Sequence, residues 1–465
     1  MKILQLPYFL FLAFLSIKTF AQGNKKPNII IILTDDQGYG DVSFNGNKQL
    51  RTPNIDRIAN NGVVFKNGYA SYAVCGPSRA GLITGRYQDQ FGHSRNPLFA
   101  PKDATIGLPL SEETLAEALK KTGYTNMAIG KWHLGVHASF RPLNRGFDEF
   151  FGFLSGGHKY FPKQLVLNDI SEVKAQFDAY DTKILRNNTR INETEYLTDA
   201  FSREAVHFVE KNTDKPFFLY LAYNAPHAPL QAPEKYLARY KNIENTDRRT
   251  YCAMVSAVDD GVGLLLDKLK ELNIDKNTIV FFLSDNGGDL SKGSYNGDLR
   301  GGKSSLFEGG IRVPFAMQWP GTIPPKQVYE HSIISLDIFA TAVAQAKVTP
   351  KNNIDGVNLI PFLTGKKKEA PHESLYWKMF DKGSFAIIQG DLKLVSIKES
   401  TPLLFNLKKN STERKPLNDS IKAKNLKKLF DVWDTKNIKP IFDGLGEDKQ
   451  YSEKHPDRYK NVEKY

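Results

Sequence analysis

Short apolar runs alternate with amphipathic stretches along most of the chain. Residues 28–33, 125–129, 217–223, 278–284 and 313–319 read as strands, the first a fully buried one. Residues 111–122 show a helical period, with Ser111 as N-cap, two acids in the first turn and Gly123 past the end. Residues 251–272 read as a long helix and 335–346 as another. Strands that alternate with helices predict an α/β fold with a mostly parallel central sheet and helices on both faces. After about Pro361 the pattern changes. Residues 384–389 and 393–397 read as antiparallel strands, and 420–433 as a helix. A main domain over 24–361 is therefore expected to be followed, over 362–465, by a small α+β C-terminal subdomain with an antiparallel sheet. The stretch from Glu447 onward is polar and reads as a surface-hugging or mobile tail.

The first 22 residues stand apart. Lys2 precedes an apolar run over 3–15, and Thr19-Phe20-Ala21 offers a small-x-small cleavage site. This is the pattern of a signal peptide over 1–22, with a signal anchor as the alternative, and it predicts a periplasmic or secreted protein. No later segment holds ~20 consecutive apolar residues, so no transmembrane segment is expected in the mature chain.

Composition narrows the function classes. With 41% hydrophobic and 25% charged residues, the chain can build a large core. Its only cysteines are Cys75 and Cys252, too few for a disulfide framework. Cys252 lies in an apolar helical stretch and reads as a buried, inert thiol. The net charge of +12 favours anionic partners. The basic residues are scattered and form no stripe interleaved with aromatics, so nucleic acid is not expected, whereas an anionic carbohydrate fits.

In open α/β sheets, ligands bind beyond the carboxyl ends of the strands. Four such ends carry Thr34-Asp35-Asp36-Gln37-Gly38, Gly130-Lys131-Trp132-His133, Tyr223-Asn224-Ala225-Pro226-His227 and Ser284-Asp285-Asn286-Gly287. Asp35, Asp36, Asp285 and Asn286 form an all-oxygen set suited to a hard divalent cation, Ca²⁺ or Mg²⁺. Taken singly, Asp-Asn-Gly reads as a turn and paired Asp as a helix cap. Their coincidence at two strand ends favours the metal. Cys75-Gly76-Pro77-Ser78-Arg79 is followed by Leu82, Thr84, Gly85 and Arg86. Pro77 suits a first helical turn and Gly85 a helix end, which puts Cys75 at a helix N-terminus where negative charge is favoured.

Cys75-x-Pro77-Ser78-Arg79 with the trailing Leu82-x-Thr84-Gly85-Arg86 resembles the signature of the type I sulfatases, within the alkaline phosphatase superfamily. Asp35-Asp36-x-Gly38, Gly130-Lys131-Trp132-His133, Pro226-His227, Ser284-Asp285-Asn286-Gly287 and Gly302-Lys303 resemble the other family motifs and occur in family order. The resemblance implies that a formylglycine-generating maturation enzyme oxidises Cys75 to formylglycine (3-oxoalanine). It implies that Asp35, Asp36, Asp285, Asn286 and residue 75 hold Ca²⁺. A hydroxyl of the hydrated aldehyde would attack sulfur with help from Asp285. His227 or Lys303 would protonate the leaving oxygen, and His133 would deprotonate the second hydroxyl to release sulfate. Arg79 would steady the diol and Lys131 would grip sulfate oxygens.

The expected function is hydrolysis of sulfate esters on a sulfated carbohydrate, such as ulvan or carrageenan fragments or glycosaminoglycan units. The alternatives are a phosphonate or phosphodiester hydrolase of the same superfamily and a non-catalytic carbohydrate-binding relative. His93, Arg95, His158 and Arg300 are further candidates to contact the sugar, because they lie in or near Gly-flanked polar loops. Trp132 reads as packing.

Overall fold

The computed structural model describes residues 25–460 and 462. The segment 1–22, read above as a signal peptide, lies outside the described residues. Ten strands form the main sheet, with five parallel strands at its centre in the order Thr278–Ser284, Asn28–Thr34, Phe217–Ala222, Thr125–Lys131 and Glu149–Phe153. Antiparallel strands flank this core: Phe315–Gln318 pairs with Thr278–Ser284, and Ile184–Arg186 with Glu149–Phe153.

Alternate residues of the central strands feed two separate cores. Ile29, Ile31, Leu33, Phe218 and Phe281 pack with Leu82, Ile83, Leu115 and Phe339 on one face. Ile30, Ile32, Leu219, Leu221 and Phe282 pack with Phe201, Tyr251, Met254 and Leu265 on the other. That period of two, with both sets apolar, explains why these strands read as unbroken hydrophobic runs. Helices Cys75–Thr84, Leu115–Lys120 and Leu336–Ala346 cover the first face, and Pro53–Asn60, Leu197–Lys211 and Thr246–Glu271 the second. Cys252 is fully buried in the second core.

Two helix starts differ from the sequence reading. The helix expected from Ser111 begins at Leu115 with Thr114 as cap. Thr114 and Glu117 form a reciprocal capping box, which outcompetes Ser111. Glu112 and Glu113 are instead tied to Arg86 and to the Lys351 amide. The long helix begins at Thr246, capped by Asn245, because the amphipathic pattern continues upstream of Tyr251 with polar residues that face solvent.

The C-terminal strands Ser374–Met379, Ser384–Gln389, Leu392–Ser396 and Leu403–Asn406 form an antiparallel sheet. Helix Ser420–Asp434 covers it, with Phe430 stacked on Phe385 at 4.4 Å and Trp433 on Tyr376 at 5.0 Å. This sheet shares its core with Tyr69, Tyr72 and Tyr87, which flank the helix that starts at Cys75. The tail after Glu447 hugs the surface and is anchored: Tyr451 packs with Leu98 and Ile106, and buried Arg458 donates to the Phe99 carbonyl at 2.9 Å. No helix among the described residues is long and apolar enough to cross a membrane.

His372 illustrates a pH-dependent strut. Its Nε2 lies 2.8 Å from Asp337 Oδ1, and Asp337 also accepts from the Ile334 and Val357 amides. Burial resists the charge on His372, but the Asp337 carboxylate outweighs it and raises the imidazole pKa above its ordinary value. A raised folded-state pKa contributes stability that is complete below the unfolded value of about 6.5 and is lost as pH rises through the folded value. The gap in thermal midpoint between the wild type and His372→Ala should therefore be widest near pH ~5.5 and narrow toward pH ~8.5. A gap independent of pH, or one that widens with pH, would contradict this linkage.

Candidate active site

The register of the central strands assembles the site. Thr34 pairs with Ser284, so the residues that follow each strand emerge side by side. The Asp285 amide donates to the Thr34 carbonyl at 3.0 Å, the Asp36 amide to Asp285 Oδ1 at 3.2 Å and the Gln37 amide to Ser284 Oγ at 2.9 Å. Asp35, Asp36 and Asp285 thereby converge. Cys75 joins them at the first turn of helix Cys75–Thr84, with Sγ 3.4 Å from Asp35 Oδ1 and 3.9 Å from Asp36 Oδ1. One ligand-type atom from each of these four residues lies within 4.8 Å of the others.

Three cationic side chains balance the three carboxylates. Arg79, one turn along the helix from Cys75, is fully buried and donates Nε to Asp285 Oδ2 at 2.9 Å, and its Nη1 donates to the Lys131 carbonyl at 3.0 Å. Lys131, at the end of its strand, contacts Asp35 Oδ2 at 2.7 Å. Lys303 reaches Asp36 Oδ2 at 2.6 Å, and His227 Nε2 lies 3.6 Å from the same oxygen. Asn286 Nδ2 donates to Asp36 Oδ1 at 2.7 Å, while its Oδ1 is buried with no hydrogen-bond partner.

Burial and charge set the protonation pattern. Burial opposes the charge on Asp36, but Lys303 above all, with Lys131, outweighs it and holds the carboxyl below its usual range. Asp285 is pushed up to about 6 by burial and by Asp35, against the pull of Arg79. Burial opposes the charge on Lys303, yet Asp36 and its neighbours raise its pKa well above the usual value. Burial, then Lys131 and Arg79, depresses His133 far below its usual value. Burial lowers His227 to about 3 despite Asp36. Both imidazoles are neutral and free to take a proton from a reacting group. Burial and Asp285 push the Cys75 thiol up, so an unmodified Cys75 stays protonated.

Two residues of this rim adopt left-handed backbone conformations that side chains disfavour: Asp36 at φ 62° and His133 at φ 57°. Such positions cost on the order of 1 kcal/mol and cluster where function dictates geometry. The donors Asp35, Asp36, Asp285 and the orphaned Asn286 Oδ1 fit a hard dication, because a buried amide oxygen without a partner is otherwise unfavourable.

Not every sequence candidate joins this cluster. His158 is buried against Phe153 at 4.6 Å, with Nδ1 2.9 Å from the Lys159 carbonyl and Nε2 3.4 Å from Thr182 Oγ1, so its ring is used internally rather than for a ligand. Arg95 is committed to Asp381, Asp443 and Glu447. In both residues packing and ion pairing engage the polar groups. His93 is fully buried edge-on to Phe442, with both ring nitrogens unpartnered. Arg300 is exposed, lies over the Phe307 ring at 3.8 Å and donates to the Glu413 carbonyl at 3.1 Å. Trp132 is buried, and its indole donates to the Phe140 carbonyl.

Sequence reasoning missed two supporting residues. Asn96 Oδ1 accepts from the Gly76 amide at 2.8 Å and anchors the first turn of the Cys75 helix. Tyr220 is buried beside Arg79, and its charge environment includes Asp285 and Asp35. A lone Asn in a loop and a Tyr inside a strand carry no local signal of such a placement.

The comparisons agree with this geometry. The family described as Sulfatase matches residues 27–348, and the C-terminal part of N-sulphoglucosamine sulphohydrolase matches residues 302–434. The chain is 38% identical to mouse N-acetylgalactosamine-6-sulfatase over 365 residues, which cover 74% of the chain and 68% of that relative. The crystal structure of Ps i-CgsB in complex with k-i-k-neocarrahexaose superposes with a TM-score of 0.86 at 38% identity, covering 94% of the chain and 100% of Ps i-CgsB. The phosphonate monoester hydrolase of Agrobacterium radiobacter shares the fold, with a TM-score of 0.65 at 20% identity over 88% of the chain and 96% of that protein.

Arg79 is the most exacting element of the charge balance, because its removal strands Asp285 without its buried counter-ion. Arg79→Met should cost about 3–5 kcal/mol of stability, read as a lower thermal midpoint. A midpoint equal to that of the wild type would show that the carboxylates do not need this partner.

Proposed function

The chain belongs to the sulfatase family and is a sulfuric ester hydrolase; from that premise we propose that it removes sulfate from a sulfated carbohydrate, through a formylglycine made from Cys75. One observation carries the reading: Cys75 lies at a helix N-terminus, buried against Asp35, Asp36 and Asp285, where its thiol stays protonated and is a poor nucleophile. A Cys kept in that setting makes chemical sense as a precursor. When oxidised and hydrated, it supplies a hydroxyl nucleophile in place of the thiol.

Asp35, Asp36, Asp285 and Asn286 would hold the cation, Ca²⁺ in preference to Mg²⁺, because an open set of carboxylate and amide oxygens suits the larger ion. Bound there, the cation supplies positive charge that stabilises a developing oxyanion. The protein's own residues divide the remaining work. Lys131 and Lys303 bring positive charge to the sulfate oxygens. Protonated Lys303 is placed to give a proton to the leaving oxygen, or His227 does so from Nε2 once it has taken a proton up, since its Nδ1 is held by the Ala228 carbonyl in the neutral ring. Neutral His133 takes the proton whose removal releases sulfate. Arg79 orients Asp285, which draws the proton from the attacking hydroxyl.

Export through residues 1–22, to the periplasm or beyond, places the enzyme where polymeric substrates are met, and maturation of Cys75 requires a formylglycine-generating enzyme. The substrate class is argued from likeness. Ps i-CgsB binds a neocarrahexaose, and the mouse relative is named for N-acetylgalactosamine 6-sulfate, so carrageenan-type oligosaccharides come first and glycosaminoglycan units second. His93 and Arg300 remain candidates at the sugar side of the site.

Four measurements test the reading. In intact-mass analysis, residue 75 of active enzyme should be lighter than cysteine by about 18 Da, the loss on converting CH₂SH to CHO. Cys75→Ala should fold and lose all turnover of aryl sulfate, and a fully active enzyme with an unmodified thiol refutes the proposal. Chelation should lower both activity and thermal midpoint, with Ca²⁺ restoring them, since a ligand bound only to the folded state stabilises it. An enzyme indifferent to chelator has no such cation. Faster turnover of aryl phosphate or phosphonate esters than of aryl sulfate would favour the phosphonate hydrolase reading instead.

A further inference from the structure

The loop between strand Glu149–Phe153 and the strand Ile184–Arg186 carries features that the chemistry above does not use. Gly156 and Gly157 are adjacent, and each is held to glycine by a different ring. A Cβ on Gly156 would lie 2.7 Å from His133 Nε2, and one on Gly157 would lie 2.6 Å from Tyr180 Oη. The two glycines therefore seat the His133 imidazole and the Tyr180 phenol against neighbouring positions of one backbone segment. Ser155 Oγ donates to the Gly157 carbonyl at 2.7 Å, and the Lys159 amide donates to the Tyr180 carbonyl at 3.1 Å, so both sides of this junction are fixed. Asp35, Asp36, Cys75 and Lys303 all act electrostatically on the Tyr180 hydroxyl, which places it within reach of the charge cluster.

Beyond Tyr180, toward solvent, stands Phe177. It is 62% exposed, and its ring meets Tyr180 edge-on with centroids 5.7 Å apart. A single exposed Phe is unremarkable. An exposed Phe continuous with a half-buried Tyr, which itself abuts the catalytic cluster, is a graded apolar surface that leads out of the site. A pyranose ring presents C–H groups on one face and hydroxyls at its edge, and an aromatic ring covers such a face while leaving the edge free to hydrogen bond. Charged groups position the sulfate but offer nothing to the apolar face of the sugar.

We propose that Tyr180 and Phe177 form an aromatic platform at the rim of the active site, with Tyr180 packing against the sugar that carries the sulfate and Phe177 against its neighbour in the chain. This inference rests on the carbohydrate reading above and deepens it, since it assigns the residues that select an oligosaccharide over a small sulfate ester. The platform is a binding element: it contributes to KM and takes no part in proton transfer.

The test uses the matured, Ca²⁺-loaded enzyme with sulfated neocarrahexaose and N-acetylgalactosamine 6-sulfate oligosaccharides. Phe177→Ala and Tyr180→Ala should each raise KM for the oligosaccharide about tenfold and leave kcat within about threefold. Phe177→Trp and Tyr180→Phe, which retain the flat ring, should stay within about twofold of the wild type. Unchanged KM in Phe177→Ala at a wild-type thermal midpoint overturns the platform even if Tyr180→Ala fails to fold, because exposed Phe177 has little structural role to lose. A fall in kcat with KM unchanged also overturns it. If the wild type turns over aryl sulfate yet neither desulfates these oligosaccharides nor binds them as Cys75→Ala in calorimetry, the carbohydrate reading falls and the platform with it. Desulfation with an unmoved KM in both alanine variants sinks the platform alone.

Discussion

Three carboxylates share one small volume at the rim of the sheet, and their mutual repulsion governs what surrounds them. Asp35, Asp36 and Asp285 are almost wholly removed from water, so solvent does not screen them. Each carboxylate has its own cationic partner: Lys131 for Asp35, Lys303 for Asp36 and Arg79 for Asp285. These partners come from a strand end, a loop and a helix, so the electrostatic requirement binds distant parts of the chain to one point. Even so, Asp285 is pushed up to about 6, first by burial and then by the neighbouring Asp35. In the proposed mechanism a dication would join this cluster and add the positive charge that an anionic substrate meets.

The same logic appears once more, where the C-terminal sheet meets the main one. Lys393 is fully buried on strand Leu392–Ser396 and bridges Glu308 at 2.8 Å and Glu413 at 2.9 Å. Glu308 also accepts from the Tyr69 hydroxyl at 3.0 Å, and Glu413 from the Glu308 amide at 2.6 Å. Glu308 closes the loop that carries Lys303, so the C-terminal sheet holds the segment that presents the partner of Asp36. The smaller sheet is thus structurally part of the active site although it adds no residue to the charge cluster.

The core of this arrangement is legible in the sequence because of where the polar residues fall. Asp35, Lys131 and Asp285 end or follow apolar runs, and a parallel sheet sends all such ends to one edge. Cys75 and Arg79, four apart on one helix, share a face by helical geometry alone. What could not be read is any relationship that depends on two loops meeting. Asn96 holds the Gly76 amide only because residues 92–97 fold back over the helix N-terminus. His158 and Arg95 lie in loops with the composition of binding loops, and their internal partners, like that of Asn96, depend on segments far apart in sequence and could not be read from it. The start of helix Leu115–Lys120 was misplaced for a local reason. Ser111 is an acceptable cap, but Thr114 has Glu117 three residues on, and reciprocal capping wins.

Glycine placement separates the generic part of the site from the particular one. At Gly156 the absent side chain makes room for His133, the residue proposed to take the proton in sulfate release. At Gly157 it makes room for Tyr180, which that chemistry does not require. A substituted Gly157 would push the phenol away and leave the charge cluster as it is, so hydrolysis alone does not explain the second glycine. It is explained if an aromatic ring must pack on the backbone segment that also borders the imidazole. The substrate has a flat, partly apolar body as well as an anionic group, and a surface that meets both halves discriminates better than one that meets the charge alone.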